Sequence, residues 1–280
     1  MIIGIASGKG GTGKTTVATN LAVALGPEAR LLDCDVEEPN DHIFIKPTID
    51  HTETVSVKVP EVDMDKCTLC GRCQEICQFQ AIVVVGKTVL TFHDLCHSCG
   101  GCMEVCPESA ITEVDREMGI FESGSRDGLE FAHGRLFVGQ VMAVPLIERV
   151  RAAVQSDKLN IIDAPPGTSC PVISSVKGTD FVILVTEPTP FGLNDLKLAV
   201  GMVRVLEVPH GIIINRSDLG DSKVAEYAEQ EGIPILMEIP FDRRIAEAYS
   251  QGKLLVQELT GWKEGFIDLY GKVVDYAGKR

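Results

Sequence analysis

The 280-residue sequence is poor in aromatic residues, at 5% of the chain with a single tryptophan, and it has no excess of basic residues. Its 26 Lys and Arg stand against 40 Asp and Glu, which gives a formal net charge of −14. This balance argues against a nucleic-acid binder, which normally carries a basic face, and against attachment to an anionic membrane surface. No window approaches ~18 uninterrupted apolar residues, so no membrane span is expected.

The first ten residues, MIIGIASGKG, lack the basic segment and the long apolar run of a secretory signal peptide. We therefore expect a cytoplasmic protein. Disulfides are disfavoured in that compartment, yet the chain has ten cysteines. Eight of the ten lie between Cys67 and Cys106, and such clustering points to metal binding.

Short apolar runs alternate with segments of helical spacing over most of the chain. Strands are predicted at 1–7, 30–35, 158–166, 180–188, 210–216 and 234–240. Helices are predicted at 13–26, 144–155, 191–207, 221–232, 243–253 and 264–280. The alternation implies βαβ units, hence an α/β fold with a mostly parallel sheet flanked by helices.

This alternation breaks in the middle of the chain. Residues 41–63 are predicted to form irregular strands, the cysteine block follows, and the alternation resumes at about residue 135. The last helix, 264–280, is amphipathic, but it contains two aspartates and few basic residues. We expect it to dock on its own domain and not on a membrane.

A glycine-rich stretch follows the first predicted strand and opens the first predicted helix. Gly8, Gly13, Lys14 and Thr15 fit G-x-x-x-x-G-K-[ST], in which backbone N–H groups cradle phosphate oxygens. Lys14 would reach the β- and γ-phosphates, and the Thr15 hydroxyl would ligate Mg²⁺. A G-x-G-x-x-G string in the same stretch offers a dinucleotide site as the rival, but the closing Gly-Lys-Thr favours a nucleoside triphosphate. The predicted loop comprises Gly8, Gly10, Gly11, Thr12, Gly13, Lys14, Thr15 and Thr16.

The segment KGGTGKT resembles the deviant Walker A motif of the MinD/ParA family of P-loop ATPases. The likeness extends over most of the chain outside the cysteine block, and it implies a P-loop NTPase fold, ATP and Mg²⁺ as cofactors, and a homodimer that forms on ATP binding. In that family the early lysine reaches the partner's nucleotide. Lys9 is then expected to supply a cation in trans, as an arginine finger does; the alternative is a solvated lysine in a tight turn.

The same resemblance assigns roles beyond the loop. Asp35 matches the switch I aspartate that positions the attacking water, and with Lys9, Lys14 and Asp163 it completes the predicted catalytic set. Asp163 would hold Mg²⁺ through water, and the Gly167 N–H would sense the γ-phosphate. An aspartate after a buried strand can also simply cap the next turn.

Three more residues are expected to contact the adenine base of the nucleotide. Asn215 follows a predicted strand where relatives contact adenine. Pro240 and Asp242 fall where relatives wrap the edge of the base. Asn and Pro are also ordinary residues at strand ends, which is the alternative reading.

The cysteine block contains two C-x₂-C-x₂-C-x₃-C runs, which match the run of bacterial two-cluster ferredoxins. Triplets at this spacing, duplicated, disfavour zinc, which needs four ligands for one ion. In ferredoxins the fourth ligand of each cluster comes from the other run. The resemblance thus implies one [4Fe–4S] cluster on Cys67, Cys70, Cys73 and Cys106, and another on Cys96, Cys99, Cys102 and Cys77.

The two runs align at an offset of 29 residues, which indicates a small duplicated domain. We expect an α+β ferredoxin domain at 60–115, inserted into a MinD/ParA-like ATPase domain at 1–59 and 116–280. Cys34 and Cys170 lie outside the block. Both are expected to be small buried cysteines; the alternative is a cluster shared across a dimer, as in nitrogenase-type reductases.

Three function classes follow from this combination. The first is an ATP-hydrolysing dimeric switch whose two clusters couple nucleotide state to electron transfer or to docking of a redox or iron–sulfur partner. The second is an iron–sulfur cluster carrier. The third is a spatial organiser with clusters that sense redox state. ATP binding and hydrolysis are common to all three.

Overall fold

The computed structural model describes residues 1–278. Its strands are β1 (Ile2–Ala6), β2 (Ala29–Asp33), β3 (Thr48–Val62), β4 (Ile82–Val85), β5 (Thr88–Thr91), β6 (Ile111–Arg126), β7 (Leu129–Leu136), β8 (Leu159–Asp163), β9 (Phe181–Thr186), β10 (His210–Asn215) and β11 (Ile235–Ile239). Its helices are α1 (Lys14–Leu25), α2 (Asp41–Ile45), α3 (Arg72–Ile76), α4 (Gly101–Glu104), α5 (Val144–Arg151), α6 (Cys170–Val176), α7 (Pro190–Val205), α8 (Lys223–Gln230), α9 (Arg243–Ser250), α10 (Leu255–Glu258) and α11 (Trp262–Ala277).

Nine of the strands in the described range form one sheet, in the order β11-β10-β9-β1-β8-β2-β7-β6-β3. The neighbours from β11 to β7 pair in parallel, whereas β7–β6 and β6–β3 are antiparallel. The α/β fold with a mostly parallel sheet is confirmed. β1 is the middle one of the seven parallel strands, so the loop that follows it opens near the middle of their carboxyl edge, where ligands bind in open α/β sheets.

Side chains of the central strand alternate between two cores. Ile3 and Ile5 face a cluster with Leu21 of α1 and Phe266 of α11. Ala6 faces the other cluster, which includes residues of α6, α7 and α8. Helices on both faces exclude water from the central strands, which explains their continuous apolar sequence.

The C-terminal helix docks on the protein itself, as expected. Phe266, Leu269 and Val273 of α11 are buried in the core beside α1. The predicted helix also includes residues 279 and 280, which lie outside the described residues. Within residues 1–278, no helix is both long enough and apolar enough to cross a membrane.

The prediction of irregular strands at 41–63 is confirmed for Thr48–Val62 and wrong for Asp41–Ile45, which is a short helix. Thr48–Val62 is a single strand at the edge of the sheet, with irregular pairing near Ile49 and Val55. The edge position weakens the strand's signal, since its first half is exposed and carries polar residues on both faces. It also accommodates Pro60, because an edge strand can forgo a backbone donor.

The alternation resumes near residue 135 as predicted, because β7 is followed by α5 and then by β8. The pair of long strands before α5 was not predicted from the sequence. These strands, β6 and β7, form an antiparallel hairpin between the edge strand and β2. Exposed charged residues interrupt the apolar pattern of β6. For example, Glu113, Asp115 and Glu117 alternate with less exposed neighbours. No strand was predicted for this segment.

Strands β3 and β6 pair from Thr48–Ser125 to Val62–Ile111, and the cysteine block lies beyond their far end. We call residues 63–110 the cysteine unit. It contains α3, α4 and the separate β4–β5 hairpin. Its small core consists of Cys73, Ile82 and Val89 together with Ile111, the first residue of β6, and further thiols pack against them. The domain boundaries predicted at 60 and 115 fall within the two paired strands.

Candidate functional site

The glycine-rich loop spans the gap between β1 and α1, and its backbone requires glycine at two positions. Gly13 has φ of 101°, and a Cβ there would lie 2.5 Å from the Asn215 side-chain nitrogen. A Cβ on Gly8 would lie 2.2 Å from the Asp195 carbonyl oxygen. The loop is thus held tightly on both sides, with its backbone N–H groups and the N-terminus of α1 available to an anion.

A pocket of about 370 Å³ opens at this edge of the sheet. This volume lies within the range of small-molecule sites. The structure brings together ten predicted residues as lining groups: Gly10, Gly11, Gly13, Lys14, Thr15, Thr16, Asp35, Asn215, Pro240 and Asp242. Sequence-distant segments, from residue 10 to residue 242, therefore converge on one cavity.

The other predicted residues surround this cavity without lining it. The Asn215 side-chain nitrogen donates to the Thr12 carbonyl at 2.8 Å, which fixes the loop to β10. The Gly167 N–H donates to the Ser7 carbonyl at 3.0 Å, so it is engaged by the loop itself. The Lys9 ammonium lies 3.6 Å from a Glu187 carboxylate oxygen, which holds this lysine within its own chain.

Carboxylates converge beneath the loop, at the ends of β2 and β8. Asp163 accepts a hydrogen bond from the Thr15 hydroxyl at 2.8 Å. Asp33 accepts from the backbone N–H groups of Asp35, Asn40 and Asp41 at 3.0 to 3.1 Å. These bonds fold the segment after β2 back over the strand end, which positions Asp35 at the pocket.

Burial disfavours charge on these acids. It raises the pKa of Asp163 to about 6, against the lowering effect of Lys14 and of the Thr15 hydroxyl. It also raises the pKa of Asp35 to about 6, again opposed chiefly by Lys14. A hydroxyl and buried carboxylates next to a phosphate loop form an oxygen-donor set that suits Mg²⁺. The residues present therefore fit the ion that the loop motif implies.

Sequence reasoning missed several residues of this site. Asp41, Phe241 and Tyr249 contribute to it: Asp41 is fully buried beside Asp163, and the other two line the pocket. Glu187, which contacts both Lys9 and Arg216, was also missed. The position of Asp41 six residues after Asp35 was the available signal. Phe241 had one as well, because it lies between Pro240 and Asp242, which were predicted at the base. Tyr249 gave none, because only the packing of α9 brings it to the pocket.

Two cavities in and around the cysteine unit divide the eight block cysteines between them. One is lined by Cys67, Cys70, Cys73 and Cys106, and the other by Cys96, Cys99, Cys102 and Cys77. Each cavity thus has three thiols of one run and the last thiol of the other run. Apolar side chains such as Val62 and Ile111, or Ile82 and Met103, complete the walls.

The backbone around the two cavities is duplicated at the same offset of 29 residues. Leu69 and Ser98 both have positive φ, and so do Gln80 and Ser109. The N–H groups of Leu69 and Ser98 donate to the sulfurs of Cys67 and Cys96, and those of Ala81 and Ala110 donate to Cys77 and Cys106 at 3.3 Å. Backbone donors aimed at sulfur stabilise thiolates and tune the clusters they hold.

These thiols are arranged around cavities, not around a point. No three His, Cys, Asp or Glu side chains in residues 1–278 are grouped as ligands of a single metal ion. Four thiols spaced around an apolar cavity fit a cubane, whose four irons each take one sulfur.

The two cysteines outside the block differ from each other. Cys34 is fully buried between the strand ends, as expected. The prediction for Cys170 is wrong, because this thiol is exposed at the start of α6. Cys170 is the first residue of α6, and the buried face of that helix is formed instead by Val172, Ser175 and Val176.

The fold and the loop geometry define a nucleotide-binding protein of the P-loop class. Residues 3–256 match the CobQ/CobB/MinD/ParA nucleotide-binding domain, so the chain belongs to that family.

Similar proteins extend over nearly the whole chain. A protein of Methanocaldococcus jannaschii called uncharacterized is 33% identical over 281 residues, covering 99% of this chain and 97% of its own. An iron–sulfur cluster carrier protein of Aquifex aeolicus is 30% identical, with 91% of this chain and 61% of its own covered. The septum site-determining protein MinD of Pyrococcus horikoshii, solved with Mg-ADP, superposes with a TM-score of 0.60 at 22% identity, covering 99% and 97% of the two chains.

Proposed function

We propose that this protein is an ATP-hydrolysing dimeric switch that carries two [4Fe–4S] clusters and couples its nucleotide state to electron transfer or to docking of a redox partner. The observation that carries the proposal is the partition of eight cysteines into two cavities, each with thiols from both runs. One polypeptide then presents a phosphate loop and two cluster cradles. Membership of the nucleotide-binding family supports the first part, and the ferredoxin spacing supports the second.

The nucleotide site has groups for each task of phosphoryl transfer to water. Lys14 and the loop N–H groups would bind the phosphates, and Thr15 with Asp163 would hold Mg²⁺, which neutralises the charge of the transferred group. Asp35, half-buried at the pocket, is placed to orient the attacking water. Lys9 would add positive charge at the partner's phosphates once it leaves Glu187, so hydrolysis would depend on dimerisation.

The two sites have a direct structural connection. The segment after β2 carries Asp35 and leads into α2, and the edge strand begins three residues after α2 ends. That strand, paired with β6 over its length, reaches the cysteine unit. We call the paired strands β3 and β6 the ribbon. If the segment after β2 rearranges on nucleotide exchange, it would therefore act on the start of this ribbon.

Anaerobic purification tests both halves of the proposal. We expect about eight irons per chain, the content of two cubanes, and ATP turnover that rises with protein concentration as dimers form. Lys9→Ala should lower turnover by at least ~10²-fold, in line with charges supplied in trans. The exposed Lys87→Ala serves as the charge-matched control and should leave turnover unchanged. Colourless, iron-free protein, or full turnover in Lys9→Ala, would contradict the proposal.

A redox measurement then tests the coupling. Midpoint potentials and EPR spectra of the clusters should differ between the ADP state and a non-hydrolysable ATP analogue. Identical spectra and potentials would exclude coupling through the clusters' electronics and leave partner docking as the output to be measured.

An iron–sulfur cluster carrier is the second candidate, because the Aquifex aeolicus relative bears that name at 30% identity. A carrier must release its cluster. Each cavity here is lined by four thiols from two runs, an arrangement that would bind a cluster firmly and so favours the redox switch. Transfer of iron and sulfide to an apo-ferredoxin within minutes would favour the carrier. Retention of both clusters in the presence of a chelator would favour the redox switch.

A further inference from the structure

The magnesium site inferred from the loop motif has an additional buried acid, Asp41, whose role the motif does not explain. Asp41 is 0% exposed, and among the described residues neither of its carboxylate oxygens has a hydrogen-bond donor. A buried carboxylate without a partner is costly to the fold. The cost indicates that some state of the protein provides the missing partner.

The surroundings of Asp41 show where that partner would be. Its carboxyl group contacts the carboxyl of Asp163, and the two can hydrogen-bond only when one of them carries a proton. The Asp163 oxygen that does not accept from Thr15 is also buried without a donor within residues 1–278. Unpartnered oxygens of two buried acids therefore occur together beneath the phosphate loop.

The charge balance at this place points to a cation. Asp33, Asp35, Asp41 and Asp163 lie close enough to interact electrostatically, and Lys14 is the neighbouring cation that opposes their charge at Asp35 and Asp163. Asp33 has three backbone donors, so it is compensated locally. Asp41 has none of these, and a divalent ion is the group that would neutralise it together with Asp163.

We propose that Asp41 is a further carboxylate of the magnesium site, where it acts on the ion from beside Asp163. This inference rests on the nucleotide-binding half of the proposed function. Asp41 is a positioning residue here: it would accept hydrogen bonds from the ion's water or hold Asp163 in the geometry that binds the ion. Outer-sphere partners of this kind commonly change metal affinity by 10–100-fold.

The location of Asp41 gives this role a consequence for the rest of the chain. Asp41 is the first residue of α2, and Phe44 of the same helix packs on Tyr249, which lines the nucleotide pocket. The edge strand starts at Thr48, directly after this helix. Binding of the ion would thus affect the position of α2, and the ribbon that leads to the cysteine unit begins just after this helix.

The test compares Asp41→Asn with wild type and with Asp50→Asn, an exposed control on the edge strand. Mn²⁺ serves as the probe and is titrated into the ADP complex while the free-ion EPR signal is recorded. We expect a 10–100-fold loss of Mn²⁺ affinity in Asp41→Asn and none in the control. Affinity for a fluorescent ADP analogue in EDTA should stay within about twofold, because Asp41 acts on the ion and not on the phosphates.

A stability measurement separates this role from a merely structural one. In EDTA without nucleotide, Asp41→Asn should melt no lower than wild type, since burial and the charges of Asp33 and Asp163 already disfavour a negative charge on this carboxyl. A structural role requires the reverse. Asp41→Leu, of similar size and without hydrogen-bonding groups, should show the same loss of Mn²⁺ affinity.

The outcomes distinguish this inference from the proposed function. Unchanged Mn²⁺ affinity in Asp41→Asn, or an equal loss of nucleotide affinity in EDTA, would overturn the role of Asp41 alone. Wild-type protein that binds the ADP analogue but no Mn²⁺ would also overturn it and leave nucleotide binding intact. Wild-type protein that binds neither would overturn the proposed nucleotide switch.

Discussion

The nucleotide pocket and the cysteine unit are built in opposite ways. The pocket lies on the edge of a sheet whose central strands are buried by helices on both faces, and its loop is fixed by contacts such as that between Asn215 and Thr12. The cysteine unit is attached through two strands, and its core consists of four buried residues with the thiols packed against them. The core that supports the nucleotide pocket consists of apolar side chains that do not bind the nucleotide. Much of the interior of the cysteine unit, in contrast, consists of the cysteines that would bind its clusters.

This difference indicates how each region depends on what it binds. A large apolar core stabilises a fold whether or not a ligand is present. A unit of about fifty residues with so small a core needs metal or another cross-link to remain folded. The two regions should therefore respond independently to damage, and the predictions below test that independence.

The largest effect is expected from Lys14→Ala. The side chain lines the pocket at the start of α1, and its loss removes the cation that we propose binds the phosphates. ATP turnover should fall by ~10²–10³-fold, the scale for removing one such group. Iron content, measured on the same preparation, should stay at the wild-type value; a parallel loss of iron would show that the two regions are not independent.

Cys106→Ser should have the converse effect. Cys106 lines the cavity of the first run although it belongs to the second, so its replacement should remove one cluster and about half of the iron. Nucleotide affinity should be unchanged. Cys170→Ser, at an exposed thiol outside both cavities, is the matched control and should keep all the iron. Loss of both clusters in Cys106→Ser would instead mean that the cavities fold as one unit.

Removal of iron should unfold one region and spare the other. After chelation under anaerobic conditions, amide hydrogens of residues 63–110 should exchange rapidly, because the cavities lose what fills them. Amides of β1, β8 and β9 should remain protected, since these strands are buried at the centre of the sheet. Protection of residues 63–110 that survives chelation would contradict the comparison.

The smallest effect is expected from His133, a buried residue of β7, the strand where parallel pairing gives way to antiparallel pairing. His133 is 4% exposed, and its Nε2 lies 3.0 Å from a Glu122 oxygen. Burial lowers the pKa of His133 below its usual 6.5, and Glu122 only partly opposes this. His133 therefore binds a proton more readily in the unfolded chain than in the folded protein. Its contribution to the free energy of unfolding is present in full above about pH 6.5, and it is lost as the pH falls through the lower pKa of the folded state.

Chemical unfolding of the sheet region at a series of pH values measures this effect. His133→Gln should remove part of the decline in the free energy of unfolding below pH ~6.5. Turnover at neutral pH should not change, because His133 lies outside the nucleotide pocket. A decline of equal size in the variant would assign the pH dependence to other groups, of which the neighbouring His42 is the first to examine.

Local patterns were enough for the parts whose chemistry depends on spacing. The loop from Gly8 to Thr16 and the duplicated cysteine runs were evident because backbone phosphate binding and cluster ligation each require fixed residue types a few positions apart. The central strands were predicted for a similar reason, since burial on both faces leaves a continuous apolar run. Membership of the MinD/ParA family was indicated by the same short loop and was then confirmed.

The strands at the edge of the sheet were predicted less well. Strands were expected in the segment that contains β3, but their bounds and pairing were not. No strand was predicted for β6, whose exposed charges and two glycines weaken its hydrophobic period. The prediction that Cys170 is buried was wrong for a related reason. The sequence does not show on which side of a helix start a small side chain lies.

By itself the sequence determined an α/β protein with a mostly parallel sheet, a phosphate-loop motif and two cysteine runs, because each of these is encoded by neighbouring residues. Only the tertiary structure decided that Asp41 lies beside Asp163, that Glu187 holds Lys9, and that Tyr249 lines the pocket. These contacts join residues that are distant in the sequence, such as Lys9 and Glu187. They follow from how helices pack on a sheet, and no local pattern carries that information.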